Sequence, residues 1–173
     1  EFAKYERFAQ PFDKRGARTE EWYYINNEGR ACDRFAKNKF GHGKLDLIRM
    51  QDDTAYMLDW KTGKSNYEDP FELEVGAVLL HAKYPQLRKI VGQYVWTPDL
   101  YGTRLQPVLG PMHDLSDTTR SWQHIRRVAA QINEDRKSGE FEKRKCWLCG
   151  HCDVMDCEYN RKLARLAKEG KTA

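Results

Sequence analysis

The sequence offers no route into a membrane. No apolar run approaches the roughly 20 residues that a spanning helix needs, and the first residues lack the basic, apolar and small-residue regions of a signal peptide. Both absences point to the cytoplasm, or to a host's cytoplasm were the chain phage-encoded, and to no membrane partner. A strong charge imbalance is missing too: 30 Lys and Arg against 26 Asp and Glu leave a net charge of +4. That balance permits nucleic-acid binding without demonstrating it. Internal repeats and low-complexity segments are also absent, which excludes solenoids and disordered tails.

What remains is an ordinary globular composition. Apolar residues make up 40% and charged residues 32% of 173 residues, enough for one domain with a real core and too few for two large ones. Trp22–Ile25 reads as a strand ended by the turn Asn26–Gly29. Two further strands, Leu45–Met50 and Ala55–Lys61, flank a polar turn at Asp52-Asp53. After the loop Thr62–Glu68, Asp69 suits a helix N-cap, Pro70 its first position, and Glu72 a capping-box spacing. Phe71, Val75, Val78, Leu79 and Ala82 then recur at helical spacing, while Leu73, Ala77 and Leu80 cover a second face, so the helix should be buried on two sides. A strand is expected over Lys89–Trp96 and another within Gly102–Val108. A long helix capped by Ser116 or Asp117 should run to about Lys137, with Trp122, Ile125, Val128, Ala129 and Ile132 on its core side. A short basic helix over Asn160–Lys168 ends the series. The order β–β–β–α–β–β–α predicts an α/β fold with a mixed β-sheet flanked by helices.

The hairpin holds the chemistry. Side chains alternate along a strand, so Asp59 and Lys61 share a face with Met57 and Ala55, while Tyr56, Leu58 and Trp60 take the other. A turn centred on Asp52-Asp53 pairs Gln51 with Thr54 and, continued, Asp46 with Asp59. Directly opposed residues have Cβ atoms about 4.5–5.5 Å apart, and opposed like charges destabilise a hairpin. A divalent cation would remove that penalty, and hard oxygen ligands suit Mg²⁺ or Mn²⁺. Lys61 would then orient a water and stabilise charge on a phosphate. The competing reading is a solvated surface hairpin, to which a lone D-x-K would be assigned. Here the tripeptide ends an apolar strand, faces a second Asp in register and precedes a glycine-containing turn.

Gly43-Lys44-Leu45-Asp46, followed by Asp59-Trp60-Lys61-Thr62-Gly63-Lys64, resembles the paired G-x-x-D and D-x-K-T-G motifs of RecB-like PD-(D/E)XK nucleases. The element order from Trp22 to about Lys137 is similar as well. The resemblance implies a restriction-endonuclease-like core and a metal-dependent DNA nuclease, an exonuclease ahead of an endonuclease, acting on single strands or duplex ends. By position it makes Asp46 and Asp59 metal ligands and Lys61 the catalytic lysine, with the Leu58 and Trp60 carbonyls as further candidate ligands. Two departures stand out. Glu72 and Gly76 occupy the positions of the family's Q-x-x-x-Y motif, so Glu72 is a candidate site residue or merely a helix cap. No His precedes His42, although relatives often carry a metal-binding His on an early helix; either the parent protein is longer and carries that helix, or this member works with a reduced ligand set. The alternative from another class is a catalytically inactive nucleic-acid-binding module on the same fold. Trp96 and Tyr101 are candidate partners for bases, though such aromatics are more often core residues than stacking platforms.

Four of the five cysteines fall in one run, Cys146, Cys149, Cys152 and Cys157, spaced C-x2-C-x2-C-x4-C. Thiolates this close can converge on one centre, and the compact spacing suits a [4Fe–4S] cluster better than structural zinc. Several RecB-like nucleases hold such a cluster through one early and three late cysteines, and others keep late cysteines without one. Thiols packed in a turn, with no metal, are the other reading; disulfides are disfavoured by the compartment. Cys32 by itself reads as a small buried hydrophobe. The expected organisation is a nuclease core over 1–140 and a cysteine-rich segment with a basic helix over 141–173. Oligomeric state is not encoded in any recognisable pattern.

Overall fold

A computed structural model describes residues 16–62, 69–96, 108–143, 145–154 and 157–170. The opening stretch, the D-x-K-T-G residues Gly63 and Lys64, the expected strand start at Gly102 and the aromatic Tyr101 lie outside these residues. Two compact units are distinguished, Glu1–Val128 and Ala129–Ala173.

The first unit is built on a five-stranded mixed sheet: β1 (Arg18–Asn26), β2 (Lys39–Gln51), β3 (Thr54–Lys61), β4 (Lys89–Trp96) and β5 (Val108–Asp114), in spatial order 1-2-3-4-5. The pairs β1–β2, β2–β3 and β4–β5 are antiparallel, whereas β3–β4 is parallel. That parallel step requires a crossover, and helix α1 (Phe71–Lys83) provides it. The expected element order is therefore present. β5 starts where the sequence reading ends it, at Val108. It carries Gly110 and Pro111 at a register irregularity, which an edge strand tolerates.

Helix α1 buries Leu73, Ala77, Val78, Leu79 and Leu80, both sides of the helix as expected. Full burial of a Leu or Val side chain contributes about 1.5–3 kcal/mol, so packing against the sheet, more than propensity, holds this helix. Two glycines set the distance. A Cβ on Gly43 of β2 would meet Leu79 Cδ1 at 2.8 Å, and one on Gly76 would meet Leu45 Cδ2 at 3.0 Å and Met57 Sδ at 3.4 Å. The main core gathers Tyr23, Ile25, Ile48, Met57, Leu80, Ile90 and Tyr94 under α1, while Leu47, Leu58 and Val95 form a second cluster.

Helix α2 (Thr118–Ser138) begins as predicted, with the Asp117 carboxylate accepting the Arg120 N–H at 3.0 Å. Trp122 packs edge-on against Phe40, with ring centroids 4.8 Å apart, and Ile125 is half-buried. The apolar stripe stops earlier than its periodicity implies: Val128 and Ala129 are half-buried, and Ile132 is exposed. In the second unit a single 3₁₀ turn, Trp147–Gly150, and helix α3 (Lys162–Lys168) are joined by side chain to backbone bonds. Asn160 Nδ2 donates to the Cys152 and Val154 carbonyls at 3.0 and 2.8 Å, its Oδ1 accepts the Lys162 N–H, and Arg165 Nε donates to the Gly150 carbonyl.

Candidate active site

The β2–β3 register pairs Gln51 with Thr54, as the turn at Asp52-Asp53 predicts, and continues to Leu47 with Leu58. There it stops. Asp46 and Asp59 are not a ladder pair, because the Asp46 carboxylate takes the place of a backbone acceptor and receives the Trp60 N–H at 2.9 Å. The pleat of β2 breaks at the same point: Leu45 and Ile48 both join the core under α1, and Leu47 between them joins the other cluster. On β1 the residue facing this break is Glu20, flanked by the pairs Thr19 with Leu47 and Glu21 with Leu45. Glu20 has φ 58, a left-handed conformation that is unfavourable for a residue with a Cβ. Its carboxylate forms an ion pair with Lys44. The hairpin is thus opened locally, and Asp46 is held in the gap.

Asp59 and Lys61 project from β3 towards α1, as the alternation predicts. Asp46, Asp59 and Glu72 line one cleft together with Leu45, Met57, Leu58, Leu73 and Gly76. Lys61 Nζ lies 2.8 Å from Asp59 Oδ2 and also pairs with the Glu72 carboxylate. Asp59 Oδ2 is buried, with the Lys61 ammonium as its partner. Burial, and secondarily the charges of Asp46 and Glu72, push the Asp59 carboxyl above the usual range although Lys61 pulls it down. Lys61 feels burial in the opposite sense, but its bonds to Asp59 and Glu72 outweigh that and hold the ammonium above its ordinary value.

Glu72 is therefore not turned back to close a capping box. The Asp69 carboxylate does accept the Phe71 N–H at 3.0 Å, but Glu72 reaches across to Lys61. One neighbour was not legible in the sequence. Tyr94 of β4 pairs with Asp59 across the parallel step and lies beneath Lys61, whose Nζ is 5.2 Å from the ring centroid. Its hydroxyl donates to the Asp69 carbonyl at 2.9 Å, and burial pushes its pKa to about 12. The only signal was an aromatic in a strand, which is common. Trp96, in contrast, is a core residue at 5% exposure and offers no face to a base.

Among the described residues no three His, Cys, Asp or Glu side chains converge closely enough to hold a metal by themselves. At the hairpin the set is two carboxylates, with the Leu58 and Trp60 carbonyls as the remaining protein candidates. A buried carboxylate, raised in pKa and set beside other carboxylates, suits a hard divalent cation. In the second unit none of Cys146, Cys149, Cys152 and Cys157 is in a disulfide. The Cys146 N–H points at Cys149 Sγ, 3.2 Å away, but the thiols do not close on a common centre where they stand.

No curated protein matches this chain. It is similar to the crystal structure of SSO0001 at 17% identity, with a TM-score of 0.47, over 92% of this chain and 67% of that one; nothing is built on that likeness. The profile of the PD-(D/E)XK nuclease superfamily matches residues 5–157. That span contains the whole sheet, α1 and the opened hairpin with its two aspartates and lysine, and the chain belongs to the PD-(D/E)XK nuclease superfamily.

Proposed function

We propose that this chain is a RecB-like, divalent-metal-dependent deoxyribonuclease that hydrolyses phosphodiester bonds as an exonuclease, with Asp46, Asp59 and Lys61 at its centre. The observation that carries the reading is the buried Asp59 carboxylate paired with the Lys61 ammonium, with Asp46 across the same cleft. Asp46, Asp59 and the Trp60 carbonyl are the groups that would hold Mg²⁺ or Mn²⁺. Such an ion supplies Lewis acidity and a lowered pKa for a bound water.

The protein's own groups have separable parts. With its pKa held above the ordinary value, Lys61 stays charged at neutral pH and serves as a hydrogen-bond donor and cation towards a phosphate oxygen, not as a general base. Glu72 positions the lysine through their ion pair. The Asp46 carboxylate is fixed by the Trp60 N–H before any ligand arrives. The late cysteines are read as ligands of a structural centre, a [4Fe–4S] cluster ahead of zinc, on their density in the sequence. Closing them round it requires the thiols to move together from the positions described.

A second reading, a nucleic-acid-binding module without catalysis, draws on the absence of a third converging side-chain ligand among the described residues. Incubating the protein with labelled single- and double-stranded DNA in Mg²⁺, Mn²⁺ or EDTA separates the two. Cleavage that requires metal and releases nucleotides from ends is the expected result. Binding without cleavage in either metal would establish the second reading.

A further inference from the structure

A row of aromatic rings lies on the face of β1 and β2, apart from the carboxylate cleft. Alternation puts Trp22 and Tyr24 on the side of β1 opposite the buried Tyr23 and Ile25. Their partners across the ladder are Lys44 and His42. The rings of Trp22 and Tyr24 stack at 19° with centroids 6.4 Å apart, and His42 lies 5.5 Å from the first and 5.8 Å from the second. Trp22 is 54% exposed and His42 is also exposed, so the rings present faces to solvent instead of filling a core. With Arg34 and Lys39 they line a cleft of about 260 Å³. Lys39 Nζ lies 5.7 Å from the Tyr24 ring centroid and donates to the Arg34 carbonyl.

Exposed aromatics are costly to leave wet and are uncommon as a contiguous group on a sheet surface. What distinguishes this patch is its charge. The side chains lining the cleft include two cations and no carboxylate. Glu20, two residues before Trp22, is paired with Lys44. A protein partner's apolar patch would be met by buried cations at a cost, whereas a strand of nucleic acid brings flat bases for the rings and phosphates for the cations. In a duplex the bases are already stacked on one another, so the ring faces select single strands.

We propose that Trp22, Tyr24 and His42, with Lys39 and Arg34, form a stacking surface for single-stranded nucleic acid. His42 and Asp46 are four residues apart on β2, about 13 Å along a strand, so bound bases would lie within a few nucleotides of the cleft. This placement rests on the nuclease reading; the binding surface itself does not.

The test is binding of a labelled oligothymidylate by the full chain in EDTA, where no cleavage obscures it, with a blunt duplex of equal length for comparison. Stacking on an aromatic contributes about 1–3 kcal/mol per base. Trp22→Ala should therefore weaken single-strand affinity by about tenfold or more, and change duplex affinity by less than about twofold. Trp22→Phe should retain most of the binding, and Lys39→Ala should lower the salt dependence by about one phosphate contact. Ultraviolet cross-linking should attach the oligonucleotide to the Trp22–Tyr24 peptide. Unchanged single-strand affinity in Trp22→Ala overturns the proposal, as does an equal loss on both DNA forms. A Trp22→Ala chain that changes only its oligomeric state also overturns it, in favour of a self-association face. Wild-type protein that never cleaves DNA, while Trp22→Ala still loses single-strand binding, refutes the nuclease reading and leaves this surface standing.

Discussion

The chain carries two groups of potential metal donors, and they are held in opposite ways. The oxygens of Asp46 and Asp59 hang from adjacent strands of a sheet, with α1 packed on them closely enough that two glycines are required. The thiols of Cys146 to Cys157 hang from a short turn and the backbone around it, tied by Asn160 and Arg165 side chains. In the first case the framework exists whatever binds, and like charges are brought together at a cost. In the second the framework is thin, a short turn with no disulfide to brace it. A ligand would therefore complete the chemistry of the first group and the structure of the second.

The largest effect should come from breaking the rigid group. Asp59→Ala or Lys61→Ala should lower the cleavage rate by about 10²–10³-fold or more while circular dichroism and the unfolding midpoint stay close to wild type. Near-normal rates in both variants, with contaminating nuclease excluded, would remove the assignment. Breaking the other group should do the reverse. Replacing Cys149 and Cys152 with Ser should cut the melting temperature and release iron or zinc, yet leave the rate per folded molecule largely intact. Metal analysis of anaerobically prepared wild-type protein that finds neither element would reduce these cysteines to packing residues.

A smaller change probes the framework without touching a thiol. Asn160→Ala removes two side-chain bonds to carbonyls and the cap on Lys162, so about 1–3 kcal/mol of local stability should be lost. Hydrogen exchange should accelerate in residues 146–168 and stay unchanged in the sheet. Acceleration throughout the sheet would show that the two frameworks do not unfold separately.

The smallest effect concerns Asp59 and its proton. Its folded pKa is raised, so the native state binds this proton more tightly than the unfolded state does. Ionising it costs stability. The cost is absent below the ordinary carboxylate value, grows as pH rises from there towards the raised one, and is fully present above it. Asp59→Asn should therefore stabilise the metal-free protein at pH 7, and the gain should vanish on acidification towards pH 3–4. Equal stabilisation at both pH values would show that charge is not its source.

Much of the fold was legible because it rests on short-range rules. Alternation placed Asp59 and Lys61 on one face, a two-residue turn set the register at Gln51, and Asp69-Pro70 marked the start of α1. What escaped depends on partners distant in sequence. Alternation assumes that a ladder continues, so it extended the pairing to Asp46 where that carboxylate instead competes for the Trp60 N–H. Helical spacing put Ile132 in line with Trp122 and Ile125, but a period cannot say how far the opposing surface extends. Glu72 had a local role available in a cap and takes another with Lys61, at the end of the preceding strand. Tyr94 lies beside Asp59 only because β3 and β4 run parallel, a pairing that no turn between them announces.

The glycine in the middle of α1 limits what this position can become. A Cβ there would meet Leu45 Cδ2 at 3.0 Å, one residue before Asp46, and would touch Met57 Sδ at 3.4 Å, two residues before Asp59. A large side chain at position 76 would drive the helix off the hairpin and displace both aspartates. Room for one comes only by first trimming Leu45 or Met57, and so through a looser core.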